Sequence, residues 1–237
     1  EEIIRMANGG PYNHRLDWNQ ELIECKVKLL KVAFPEFTLV GSPYSDHALA
    51  DERTIELRDG QRISNILFWH LWPVLVCRQW VCAEPAGILE IGGGSGEQAR
   101  LWRLALPSVK WFDIDLPESL FFAEVFLRWS FPDATFTYIT DPQTGQLDAD
   151  FVFCPVQLAQ PGLVGRRDIA INQGSMQEMS TATVDYWLRF LEQADVEYFY
   201  SLNYRWTPLE RTATWEHVRY CPRPPVIMAD SAVDMEQ

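Results

Sequence analysis

Basic residues are in the minority: 20 Lys and Arg against 33 Asp and Glu leave a net charge of −13. Nucleic-acid backbones and anionic membrane surfaces are held by clustered Lys and Arg, so neither is an expected partner. Cysteine is scarce too. Cys25, Cys77, Cys82, Cys154 and Cys221 are odd in number and form no C-x-x-C pair. That pattern argues against a disulfide framework and a zinc ribbon and fits a reducing, cytoplasmic setting. No secretory leader is legible at Glu1. The most hydrophobic run, ILFWHLWPVLVC from Ile66 to Cys77, contains His70 and Pro73. It falls well short of the roughly 18 apolar residues of a membrane span and reads as a buried helix or a pocket wall. Only four histidines are present, with no H-x-x-H, no H-E-x-x-H and no compact acidic triplet, so no metal site is expected.

The 237 residues are 47% hydrophobic and 22% charged, a globular composition that fits one large domain or a core with additions. Two parts are expected. Residues 1–84 read as a mostly helical segment that caps the substrate site, with a first helix broken at Pro35. Within it DERTIELRDGQRIS reads as an extended stretch turning at Asp59-Gly60. Residues 85–237 alternate short apolar runs with helical stretches. GILEI, VKWFDID, DFVFCPV, DIAINQ and EYFYSLNY read as strands; EQARLWRLAL, PESLFFAEVFLRW and TVDYWLRFLEQA read as helices. Such alternation implies parallel βαβ units in an α/β, doubly wound sheet, which binds ligands outside the carboxyl ends of its strands. TYITDPQTGQLDAD reads as loop, WEHVRYCP as a late strand, and the acidic end of the chain as a frayed or partial strand.

Straight after GILEI come Gly92, Gly93, Gly94 and Gly96. Glycines let a backbone approach a ligand closely, and the free N–H groups of the following helix point into the same space. A P-loop is excluded because no Lys follows. A dinucleotide loop requires a third glycine at position 97, where Glu97 would meet a pyrophosphate with a carboxylate. A ribose-binding acid should close the next strand, and Asp113 and Asp115 both qualify.

The actual form, Glu90-x-Gly92-x-Gly94-x-Gly96, resembles motif I of the class I methyltransferases that use S-adenosylmethionine. EIGGGSG followed by FDIDLPES is similar to the GGGxG and FDLP pattern of the plant-type small-molecule O-methyltransferases. In that pattern the acid before Leu-Pro holds the two ribose hydroxyls, a role that falls on Asp115, with Leu116 beside it. The resemblance implies a Rossmann-like methyltransferase sheet, mostly parallel and seven-stranded. It also implies S-adenosylmethionine as cofactor, held by Glu90, Gly92, Gly93, Gly94, Gly96, Asp115 and Leu116. Pro155, Val156 and Gln157 are candidates for the adenine wall, an apolar surface with one amide.

DIAINQGSMQEMS and YFYSLN together resemble the bacterial sugar O-methyltransferase family. The resemblance runs from about Ile88 to Tyr204 and implies O-methylation of a sugar or glycosylated small molecule. It places Asn172 and Gln173 at the cofactor. The plant-type enzymes carry a general-base His after this strand, whereas here no His lies between His70 and His217. Glu178 is therefore the first candidate base and His47 the second, with His70 as a further alternative. An amine or carboxylate acceptor, or nicotinamide-dependent oxidoreduction, are the rival readings. The aromatic segment before residue 85 offers a face for a homodimer.

Overall fold

The computed structural model describes residues 24–25, 27–28, 31–32, 54–57, 60, 62–82, 84–141, 147–203 and 226–230. His47, the break at Pro35 and the WEHVRYCP stretch lie outside them. Strands β1 (Thr54–Glu56) and β2 (Arg62–Ser64) pair antiparallel with Thr54 opposite Ser64, so the expected extended stretch folds back on itself. Gly60 takes φ 83° in the turn, a conformation that favours glycine. Helix α1 (Asn65–Trp80) follows directly.

The main sheet contains β3 (Gly87–Ile91), β4 (Lys110–Asp115), β5 (Phe136–Tyr138), β6 (Phe151–Pro155), β7 (Arg167–Gln173), β8 (Val196–Asn203) and β9 (Val226–Asp230). Their order is β5-β6-β4-β3-β7-β8-β9, and all of their pairings are parallel. The sheet is thus the expected doubly wound, seven-stranded one. Strands buried on both faces read as continuous apolar runs, which is why GILEI and FVFC show no alternation.

Helices α2 (Glu97–Ala105), α3 (Pro117–Ser130), α4 (Pro161–Val164) and α5 (Thr181–Gln193) connect the strands, and residues 24–25, 27–28 and 31–32 are helical as well. One core joins α1, α2 and α3 to the sheet face that carries Ile88, Trp111, Phe151, Ile169 and Tyr200. The other joins α5 to the face that carries Leu89, Phe112, Val152, Ala170 and Phe199. Fully buried Trp102, Trp111 and Phe126 each contribute on the order of 1.5–3 kcal/mol by leaving water. Helix α1 shares the first core, so a division of the chain near residue 84 does not divide the packing.

Two local details follow from sequence. Pro117 opens α3, where its missing N–H costs nothing. Ser180 caps α5 by accepting from the Thr183 N–H, and Val184, Trp187, Leu188 and Leu191 bury as one stripe. The stretch read as loop from Thr137 in fact overlaps β5, a three-residue edge strand. Its half-buried residues give little pattern. It is fixed by Phe136 stacking on Phe151, ring centres 5.1 Å apart.

Candidate active site

Buried polar side chains gather at one edge of the sheet. Glu90, Asp113, Asn172, Gln173, Ser201 and Asn203 are all buried, and all lie at or near carboxyl ends of strands. The chain runs from β3 to β4 on one side and later returns to β7 on the other side of β3. The crevice at such a reversal is where doubly wound sheets bind ligands. Here it is bordered by the loop after β3 and the loop after β7.

The glycines of the first loop answer to different constraints. A Cβ on Gly92 would strike the Ser175 side chain, and one on Gly93 would come within 2.5 Å of the Asp113 carboxyl. Gly94, at φ 58°, has nothing within 4 Å of that position, so the loop presents open space there. Its N–H donates to Asp115 Oδ2 at 2.8 Å, while the Leu116 N–H donates to Asp115 Oδ1 at 2.7 Å. Both oxygens of Asp115 are therefore oriented by backbone. Leu116 is exposed beside it. Half-buried Pro155 and Val156 and exposed Gln157 sit at the end of β6 and the start of the turn that follows.

Beneath the loop lie two further acids. The parallel register sets Glu90 opposite Asp113. One Glu90 oxygen and both Asp113 oxygens are buried without a hydrogen-bond partner, and no ion pair reaches Glu90, Asp113 or Asp115 among the described residues. Burial, reinforced by the Asp115 charge, pushes the Glu90 carboxyl up to about 8. Burial and the charges of Glu90 and Asp115 push Asp113 well above the carboxylate range. Burial also raises Asp115, against the two backbone donors. Three carboxyls thus gather at this edge with no cation among the described residues, and burial with their mutual charges favours their protonated forms. Among the described residues, no group of three or more His, Cys, Asp or Glu is arranged to hold a metal ion.

Glu97 plays a different part from the one its position suggests. It is fully buried and grips the buried Arg100 with two bonds of 2.7 Å. Its charge is neutralised within α2, so it does not present a free carboxylate to the loop. Asp113 was one of two eligible acids in sequence. It becomes a buried floor to the loop, while Asp115 faces the loop amides.

Asn172 is tied into the protein. Its amide donates to the Ile91 carbonyl at 2.8 Å and to Ser175 Oγ at 2.5 Å, and its oxygen accepts from Asn203 and the Met176 N–H. It locks the loop after β7 to the end of β3. Gln173 reaches elsewhere: its Nε2 donates to the Trp69 carbonyl of α1 at 2.6 Å. That carbonyl is four residues before Pro73, which lies inside α1 and has no N–H to bond it. Next to this contact His70, Gln98 and Gln173 face one another between α1, α2 and β7. Sequence had left Gln98 unremarked. The signal available was His70 standing inside an apolar helix, together with Pro73. Glu178 is exposed at the end of a short turn (Met176–Glu178) in the loop after β7.

The sheet order, the parallel strands and the glycine loop define a Rossmann-like fold of the methyltransferase type. No protein-family profile and no curated protein matches the chain. Among solved structures, it is similar to the methyltransferase PaMTH1 of Podospora anserina bound to S-adenosylhomocysteine. That match has 15% identity over 75% of this chain and 64% of the other, with a TM-score of 0.37. The N-terminal domain of EvdMO1, solved in the presence of S-adenosylhomocysteine and D-fucose, is 13% identical over 71% of this chain and 59% of that one, TM-score 0.37. Human N-acetylserotonin methyltransferase in complex with S-adenosylmethionine is 16% identical over 54% and 32%, TM-score 0.33. The chain spans less than two thirds of the length of each of these structures. What the site does is read from its own residues.

Proposed function

We propose that this chain is an S-adenosylmethionine-dependent O-methyltransferase acting on a hydroxyl of a small molecule, a sugar or a glycosylated natural product. The observation that carries the reading is the convergence of Glu90, Asp113 and Asp115 on an open glycine loop with no cation among them. The donor fits that chemistry, because it is a nucleoside bearing an ammonium and a sulfonium and no phosphate. Its ribose hydroxyls suit Asp115, whose two oxygens are aligned by the Gly94 and Leu116 amides and retain further acceptor capacity. Leu116, Pro155 and Val156 offer apolar surface for the purine, with Gln157 nearby. Glu90 and the loop from Gly92 to Gly96 face its charged end.

When bound, the donor supplies an electrophilic methyl group on sulfur. The chain's task is to hold a hydroxyl in line with it at contact distance and to accept the hydroxyl proton. Isothermal calorimetry tests the donor site. The wild type binds S-adenosylmethionine, Asp115→Ala weakens binding about ten- to a hundredfold by removing charge-assisted bonds, and Gly94→Trp abolishes it. Absence of binding by the wild type, or unchanged binding in both variants, overturns the reading.

A further inference from the structure

The glycine loop opens on a peptide that is held from both sides. The N–H of the Ile91–Gly92 peptide donates to the Ile114 carbonyl at 2.8 Å, and Ile114 immediately precedes Asp115. The carbonyl of the same peptide accepts from Asn172 Nδ2 at 2.8 Å and from Ser175 Oγ at 3.1 Å. Two residues on, the Gly94 N–H orients Asp115 Oδ2. Ser175 also backs the loop. Gly92, at φ 81°, lies so near the Ser175 side chain that no methyl group fits between them.

Asn172 and its partners are themselves fixed. Asn172 is fully buried, and its amide uses both hydrogens and both lone pairs. Its Nδ2 serves Ile91 and Ser175. Its Oδ1 accepts from Asn203 Nδ2 at 2.9 Å and from the Met176 N–H at 3.3 Å. A backbone N–H only donates, so the Met176 contact settles which end of the amide is oxygen. Asn203 ends β8. Its oxygen accepts from the Gln177 N–H at 3.2 Å, and its second amide hydrogen goes to Ser201 Oγ at 2.9 Å. A buried network satisfied in this way is rigid.

We infer that Asn172, Ser175 and Asn203 are positioning residues, which act on the donor through the glycine loop by holding it in the shape that binds. The inference rests on the methyltransferase reading above and goes beyond it by assigning donor affinity to side chains outside the loop. The Asn172 amide has no bonding capacity left for a ligand, so its part is indirect. A loop already held in its binding shape has less freedom to lose when the ligand arrives. The clasped peptide also bonds the peptide that carries Asp115, so the loop and the ribose acid keep one register. The Met176 and Gln177 amides hang from the same two asparagines, which sets the loop after β7 in the same frame. In-line transfer requires the two borders of the crevice to be fixed in this way.

The test is calorimetric titration of the full chain with S-adenosylhomocysteine, well below the melting temperature of every variant, so that the dissociation constant reports folded protein alone. Ser175→Ala should weaken binding about tenfold by freeing one side of the Ile91 carbonyl. Ser175→Thr keeps the hydroxyl and should restore affinity to within about twofold of the wild type. Ser180→Ala is the control. It removes the cap of α5 outside the network and should lower the melting temperature by about 2–4 °C while leaving affinity unchanged. Asn203→Ser should also weaken binding. Combined with Ser175→Ala its effect should be less than the product of the two, because both act through the Asn172 amide. The inference is overturned if Ser175→Ala binds as the wild type does, if Ser175→Thr binds no better than Ser175→Ala, if Ser180→Ala weakens binding equally, or if the two network variants multiply independently. Failure of the wild type to bind S-adenosylhomocysteine would instead overturn the methyltransferase reading.

Discussion

Burial raises the Glu90 carboxyl to about 8, and the Asp115 charge adds to the shift; in an unfolded chain the same group titrates near 4.5. Between those values the folded chain holds a proton that the unfolded chain has released. Stability from this group is therefore fully present below about 4.5 and is lost as pH rises to about 8. Asp113, raised by burial and by the same neighbours, acts in the same direction. Glu90→Gln removes the titration while keeping shape. Its ligand-free stability should match the wild type at pH 5 and exceed it at pH 8.5. Urea midpoints measured across that range check the point. A wild-type midpoint that rises over the interval would show that the carboxyl is not held protonated.

At the scale of elements, α1 is joined to the sheet by an exchange of hydrogen bonds. Pro73 deprives the Trp69 carbonyl of its usual helical donor, and Gln173 supplies one from β7. Gln173→Leu should cost about 1 kcal/mol or somewhat more. The cost should shrink in a Pro73→Ala background, where residue 73 regains an N–H. Denaturant unfolding of the two single variants and the double variant measures the coupling. Additive effects would show that the two residues do not share the carbonyl. This exchange also marks how far sequence could be read. The strands of the parallel sheet were legible because burial on both faces makes them apolar runs, and Pro117 and Ser180 marked helix starts. β5 was not, since a three-residue edge strand buries too little to impose a pattern. The glycine loop and Asp115 were legible because Gly92 and Asp115 lie only 23 positions apart within one βαβ unit. His70, Gln98 and Gln173 come from three separate elements, and no local spacing announces that packing brings them together.

Over the whole molecule, acids of opposite behaviour occupy opposite edges of the sheet. At the amino edge, burial pushes the Asp150 carboxyl up. The Thr135 N–H and hydroxyl and the charges of Arg103 and Lys110 outweigh that and hold it at about 2. Its contribution is present above 3.8 and lost as pH falls through about 2, so Asp150→Asn should move acid unfolding to higher pH. At the carboxyl edge the raised acids penalise the ligand-free fold as pH rises. A cation bound there favours ionised Glu90, so binding must release the proton that Glu90 holds below about 8. Donor affinity should therefore climb with pH up to about 8, by as much as about tenfold per unit where one proton is released. Two calorimetric readouts report this. The dissociation constant should fall between pH 6 and pH 8, and the binding heat at pH 6.5 should differ between buffers of unlike ionisation enthalpy. In Glu90→Gln most of the climb and most of the buffer dependence should vanish. Asp150→Asn, on the far edge, should leave both intact. If affinity for S-adenosylmethionine is flat from pH 6 to pH 8 in the wild type, the buried acids are not the counter-charge that this site offers its ligand.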